Sequence, residues 1–188
     1  MTNGQESIEL SGGYIGNQDN SVVRNWNLSN VNLNVSSSLY IISNNINAIS
    51  GINIIGNATF SFKENEGIYI GDASDNQYEG YLKATGATFT SQDNSKKWEG
   101  IVLNKYSDDT NIILDSCIIS NATIGLNIQE SSPNITNNIF RNNIKGIVAN
   151  IHSEPIINGN SFIGNTLPVD LNGRNINGNI SNLSLIHI

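Results

Sequence analysis

The sequence predicts an all-β chain wound as a single-stranded, right-handed parallel β-helix of about 22 residues per coil, three short strands to each coil. Three observations predict it: a composition dominated by Asn and Ile, a 22-residue repeat in the C-terminal half, and alternating apolar pairs set between turn signals upstream. The chain has 188 residues, of which 34 are Asn and 30 are Ile. Ile is stiff at Cβ and suits a pleated surface, while Asn tolerates left-handed bends and disfavours strand interiors. Many short strands joined by many tight bends follow from that mixture.

The elements divide a single domain, residues 1–188, into four stretches. Residues 1–37 read as irregular N-terminal coils, in which Val31, Leu33 and Val35 alternate with polar neighbours. Residues 38–110 read as coils with loop insertions. Here Leu39/Ile41, Ile52/Ile54, Phe60/Phe62 and Ile68/Ile70 are alternating pairs. The polar runs Asp72 to Glu79 and Asp93 to Lys97 break that rhythm and read as loops projecting from the coils. Residues 111–182 are the regular coils, and residues 183–188 are expected to be a tail outside the repeat.

In the regular stretch, blocks starting at Asn111, Pro133 and Pro155 align in columns. One column holds Ile113, Ile135 and Ile157, and a second holds Ile118, Phe140 and Phe162. Two polar columns hold Ser116, Asn138 and Asn160, and Asn121, Asn143 and Asn165. Gly125-Leu126 and Gly146-Ile147 open the third strand of their coils, with a one-residue slip before the next Pro. A unit of this size buries no core alone, so the coils must stack, with parallel strands about 4.8 Å apart. Asn at a bend can take up left-handed backbone and bond its amide to the Asn of the next coil.

The formal charge is −7, with nine Lys and Arg in all. No basic stripe offers itself to a phosphate backbone, so no nucleic-acid partner is expected. No apolar stretch approaches the roughly 18 residues of a membrane span. The start lacks a secretion signal, which leaves a cytoplasmic chain or an excised segment of an exported one. The single Cys117 lies in an apolar run and reads as a small core residue. After Asn177 a further coil begins and stops at Ile188 without a capping pattern. The expectation is a truncated chain that self-associates through an uncapped C-terminal edge.

The run from Tyr81 to Ser91, then Trp98-Glu99-Gly100-Ile101, then the Ser-Pro-x-Ile and Phe-x-x-Asn coils resemble bacterial right-handed β-helix repeat proteins of the pectate-lyase-like superfamily. The resemblance covers about residues 38–172 and rests on structural positions. It implies the β-helix fold, carbohydrate as the ligand class, and an extracellular or cell-surface setting within a larger protein.

Chemistry must come from the irregular segment between Asp72 and Asp115. Asp108, Asp109 and Asp115 are the candidate catalytic carboxylates, since a glycosidic bond is cleaved by an acid and a base set across it. Asp72, Asp75 and Glu79 are candidate ligands for Ca2+, an ion that takes oxygen donors, although their spacing matches no defined calcium loop. Tyr78, Tyr81, Trp98 and Tyr106 are the aromatic candidates for stacking on sugar rings. The polygalacturonase-like members carry Gly-His-Gly and Arg-x-Lys motifs, and this chain has neither. The leading expectation is therefore a non-catalytic surface module that binds or displays a polysaccharide or surface glycan. A polysaccharide lyase or glycoside hydrolase is the second reading, and a purely structural stalk or tail-spike segment the third.

Overall fold

The computed structural model describes residues 7–10, 13–15, 25–29, 31–36, 38–41, 50–74, 79–150, 152–172 and 180–186. Among them there is no helix, and every strand lies in one of three parallel sheets wound as a right-handed β-solenoid. Sheet A stacks Ser7–Leu10, Asn32–Val35, Thr59–Phe62, Thr88–Ser91, Ile118–Ser120, Ile139–Arg141, Ser161–Ile163 and Ser184–Ile186. Sheet B stacks Gly13–Ile15, Leu39–Ile41, Gly67–Ile70, Gly100–Leu103, Ile124–Ile128, Lys145–Ala149 and Leu167–Asp170. Sheet C stacks Asn25–Ser29, Ser50–Ile55, Gly80–Thr85, Ile113–Asp115, Asn134–Thr136, Ile156–Asn158 and Ile180–Ser181.

Register partners in sheet A run Ser7, Asn32, Thr59, Thr88, Ile118, Ile139, Ser161 and Ser184. The coil step is thus 25, 27, 29 and 30 residues up to Ile118, then 21, 22 and 23. The 22-residue period belongs to the C-terminal coils, and the upstream coils are longer because their turns carry insertions. The stretch Asp93 to Lys97 is one of them, an exposed loop between sheets A and B. Ser184–Ile186 pairs in register with Ser161–Ile163, so the coil pattern runs on into the segment expected to be a non-repeat tail.

The first of the regular coils is 21 residues long, and this corrects the column alignment. Leu114, not Ile113, lies in line with Ile135 and Ile157. Ile119, not Ile118, lies in line with Phe140 and Phe162. Leu114 and Ile119 are buried, whereas Ile113 is 39% exposed. The extra residue of the next coil falls in its B-to-C turn, between Ala149 and Ile156. Shifting a strand by one residue exchanges its two faces, so the correction moves every side chain of these strands.

The core is a set of ladders that run along the axis. From sheet A it holds Leu33, Phe60, Phe89, Ile119, Phe140 and Phe162, all buried. Phe60 stacks on Phe89 at 5.3 Å and Phe140 on Phe162 at 5.2 Å. Parallel in-register pairing places each ring over its counterpart, and such a pair adds about 1 kcal/mol beyond its area burial. Leu185 continues the column above Phe162 and is 57% exposed.

The bend from sheet C to sheet A divides between neighbours the two roles expected of one Asn. Gly56, Gly86, Ser116, Asn137, Gly159 and Asn182 share one register column, and all six have φ between 53° and 84°. That left-handed position tolerates Gly and Asn, and here one Ser. In the coils of Gly86, Ser116, Asn137 and Gly159 the residue after it is buried, and where that residue is Asn it builds the ladder. Asn138 Nδ2 donates to the Leu114 carbonyl at 2.8 Å, and its Oδ1 accepts from the Cys117 N–H at 2.9 Å. Asn160 repeats this one coil on, to the Ile135 carbonyl at 2.9 Å and from the Asn138 N–H at 2.8 Å. At the A-to-B bend, Asn143 and Asn165 do the same to the Ile119 and Phe140 carbonyls. A buried amide with both ends bonded avoids a cost of about 1–3 kcal/mol per unsatisfied group.

Candidate functional site

The A-to-B bends of three successive coils enclose a polar groove of about 410 Å³ lined by Thr90, Asn94, Ser120, Asn121, Arg141 and Asn142. Thr90, Ser120 and Arg141 occupy one outward register column of sheet A, which fixes their spacing at about 4.8 Å per coil. Asn121 and Asn142 follow them in the left-handed conformation, with φ of 58° and 56°. Asn94 reaches the groove from the inserted loop. The walls are tied together: Thr90 Oγ1 accepts from Ser120 Oγ at 3.0 Å and from Asn121 Nδ2 at 3.3 Å. Asn121 Nδ2 donates also to Asn94 Oδ1 at 3.0 Å. Lys97, whose pKa burial lowers, donates to the Asn142 carbonyl at 2.6 Å and anchors the loop on the far wall.

The groove combines hydroxyls, carboxamides and one guanidinium, and among the described residues no carboxylate lines it. Such a wall exchanges hydrogen bonds with a polyhydroxylated ligand and offers no acid–base pair. The sequence pattern does not single these residues out, because Thr90 and Asn94 come from an irregular coil while Arg141 comes from a regular one. The signal lies in the register, which only the pairing of unequal coils reveals.

Of the three candidate carboxylates, those of Asp109 and Asp115 join coils, and that of Asp108 is held within its own turn. Asp108 Oδ2 accepts from Asn111 Nδ2 at 2.6 Å, and the Asp108 N–H donates to the Gly80 carbonyl at 2.9 Å. Asp109 accepts from Ser131 Oγ at 2.5 Å and from the Ser132 N–H at 2.8 Å. Asp115 accepts from Thr136 Oγ1 at 2.8 Å, Asn137 Nδ2 at 2.9 Å and Ser116 Oγ at 3.1 Å. The Asn137 amide, opposed by burial and then aided by the Thr136 and Ser116 hydroxyls, holds its pKa below the ordinary carboxylate range. Asp109 bonds ahead of the strand Asn134–Thr136 and Asp115 at its far end.

Among the aromatic candidates, Trp98 is 0% exposed. Its ring stacks on Phe62 at 4.6 Å and its Nε1–H donates to the Ser120 carbonyl at 2.7 Å. Tyr81 is 8% exposed and lies across Gly51, where a Cβ would sit 2.3 Å from the ring. Tyr106 is partly exposed beneath Lys105, whose Nζ lies 5.5 Å from its centroid. Tyr78 lies outside the described residues. A pair not singled out beforehand, Tyr40 and Tyr69, stacks on the outer face of sheet B at 5.0 Å. Burial first, then Glu99, Tyr40 and Glu66, raise the pKa of the Tyr69 phenol. Rings stacked along the axis cover each other's faces, so this ladder braces the sheet.

Of the calcium candidates, Asp72 Oδ1 accepts from the Ser74 N–H at 2.7 Å and from its hydroxyl at 3.0 Å. Asp75 lies outside the described residues, and Glu79 is partly exposed ahead of the strand Gly80–Thr85. Among the described residues no three His, Cys, Asp or Glu side chains gather as a metal would require. No helix of the described residues is long and apolar enough to cross a membrane.

No family model matches the chain, and neither the curated proteins nor the solved structures give a match. Fold and groove define its class: a three-sheet parallel β-solenoid with a polar groove on one row of bends.

Proposed function

We propose that the chain is a non-catalytic carbohydrate-binding module, carried on an extracellular or cell-surface protein of the bacterial β-helix type. The observation that supports this most is the groove at Thr90, Asn94, Ser120, Asn121, Arg141 and Asn142, walled by hydroxyl and amide groups. Sugar hydroxyls are both donors and acceptors, and a wall with both kinds of group on a rigid sheet meets them without rearrangement. The three coils that build the groove are braced by ladder bonds, so little ordering cost attends binding.

The test is a glycan array followed by calorimetry on the best ligand. Thr90→Val removes the hydroxyl that accepts from Ser120 and Asn121, Asn94→Ala removes the amide that accepts from Asn121, and each is expected to weaken binding about five- to tenfold. A chain that binds no glycan above background has no carbohydrate function at this groove. That outcome would favour the structural spacer, a reading supported by the burial of Trp98 and Tyr81.

A further inference from the structure

The hydrogen-bonding capacity left over in the groove leans toward donors, with the Asn121 and Asn142 carboxamide oxygens and the Ser120 hydroxyl oxygen as its acceptors. Thr90 Oγ1 already accepts two bonds, so what it has to offer a ligand is its O–H. Asn94 Oδ1 is occupied by Asn121, which leaves the two N–H donors of Asn94 free. Both N–H donors of Asn121 are spent on Thr90 and Asn94. Arg141 is exposed at the outer edge of Ile139–Arg141, and its guanidinium has no partner among the described residues. Arg141 therefore brings five unspent N–H groups to the groove's lining. Lys97, fixed on the Asn142 carbonyl, adds a second positive charge at the same bend.

These donors converge from the first and third of the three coils on a space with no carboxylate in its lining among the described residues. Resting on the carbohydrate reading above, we infer that the groove selects a sulfate ester on a saccharide, with Arg141 as its principal contact. The guanidinium fork takes two sulfate oxygens side by side. The third oxygen is then left for the Thr90 hydroxyl or the Asn94 amide. A planar carboxylate keeps both oxygens in the plane of the fork, so it has no third oxygen to direct out of that plane toward Thr90 or Asn94. The chain's net charge of −7 opposes general attraction of polyanions, so retention of one must come from a local site.

The experiment compares dextran sulfate, unsulfated dextran and polygalacturonate on the intact chain, by affinity electrophoresis and calorimetry, beside the glycan array. Wild type should retain dextran sulfate at least tenfold more strongly than the other two, and added salt should weaken that retention. Arg141→Gln should cut dextran sulfate affinity about tenfold, and Arg141→Lys should recover part of it. Lys83→Gln, a charge removal on sheet C, should match wild type. Circular dichroism and a thermal melt establish that each variant is folded. Equal retention of dextran or of polygalacturonate, or an Arg141→Gln variant with undiminished binding, overturns the sulfate assignment and leaves the carbohydrate reading standing. Failure to bind any glycan, on the array or in the gel, overturns both.

Discussion

The Cys117 thiol donates to the Ala84 carbonyl at 3.3 Å, one coil below the point where the Asn138 amide donates to the Leu114 carbonyl at 2.8 Å. Ala84 and Leu114 are register partners, so Cys117 occupies the asparagine column and makes the bond an asparagine would make. The Ala87 N–H bonds its sulfur as the Cys117 N–H bonds Asn138 Oδ1. Cys117→Asn should therefore fold with stability within about 1 kcal/mol of wild type. Cys117→Val strands the Ala87 N–H and the Ala84 carbonyl, and should cost about 1–3 kcal/mol in urea unfolding. Burial also pushes the thiol pKa up to about 11. A thiol reagent at neutral pH should accordingly leave the native chain unmodified and label it on unfolding. Rapid labelling of the native chain would place Cys117 outside the ladder.

Asn138 is a rung bonded to the coils on both sides of it. Its side chain bonds the Cys117 N–H, the Leu114 carbonyl and Asn160 Oδ1, and it is fully buried. Asn138→Leu is close in volume but leaves buried groups above and below without partners. The expected loss is about 2–4 kcal/mol in a denaturant titration. Asn137→Leu, one residue earlier, tests the bend instead, since a β-carbon with a bulky substituent at φ of 56° is strained. Asn137→Gly should be tolerated because Gly159 fills the same column in the next coil. If Asn138→Leu proved neutral, the ladder would be incidental to stability.

The fold was legible because the residues that make a solenoid stand are the ones that repeat. Phe140 and Phe162, Asn138 and Asn160, and Asn143 and Asn165 recur at the period the register confirms. The first regular coil is ambiguous in the sequence because Ile113-Leu114 and Ile118-Ile119 are apolar doublets, and a doublet does not say which member faces inward. Matching Asn121 to Asn143 looked better by identity, yet Ala122 is the residue whose N–H meets Asn143 Oδ1, at 2.8 Å. The groove was not legible at all, since Thr90, Ser120 and Arg141 share no residue type. They become neighbours only once coils of 30 and 21 residues are placed in register. Trp98 looked like a surface aromatic because it adjoins a polar loop, but its bond to Ser120 draws it into the core.

Trp98 fills the corner where the inserted loop rejoins the coil, so its removal should weaken that corner and the groove with it. Trp98→Ala leaves a cavity beside Phe62 and an unpaired Ser120 carbonyl. It should cost about 3–5 kcal/mol. Trp98→Phe keeps most of the volume and loses only the Nε1–H bond, at about 1 kcal/mol. Urea unfolding followed by circular dichroism gives both values. Similar losses for the two variants would mean that the ring's volume matters less than its single hydrogen bond.

Asp115 carries an acid-dependent share of stability. The side chains of Asn137, Thr136 and Ser116 donate to its carboxylate and keep its folded pKa below the ordinary value of about 3.9. A depressed folded pKa stabilises the folded chain above the unfolded pKa, and that contribution is lost as pH falls through the folded one. Asp93 and Asp170 are lowered in the same direction, so wild type should lose stability on acidification through several groups. Asp115→Asn removes one of them. The variant should fold, because Asn158, two coils on in the same register column, accepts the matching bonds from Ser181 and Asn182 at 3.1 and 2.9 Å. Its unfolding free energy should lie below wild type near neutral pH and converge on it in acid. Asn158→Asp should add an acid-sensitive share, because a carboxylate there would accept the same two bonds. Parallel pH profiles for wild type and Asp115→Asn would show that the bonds to Asp115 do not distinguish the charged from the neutral form.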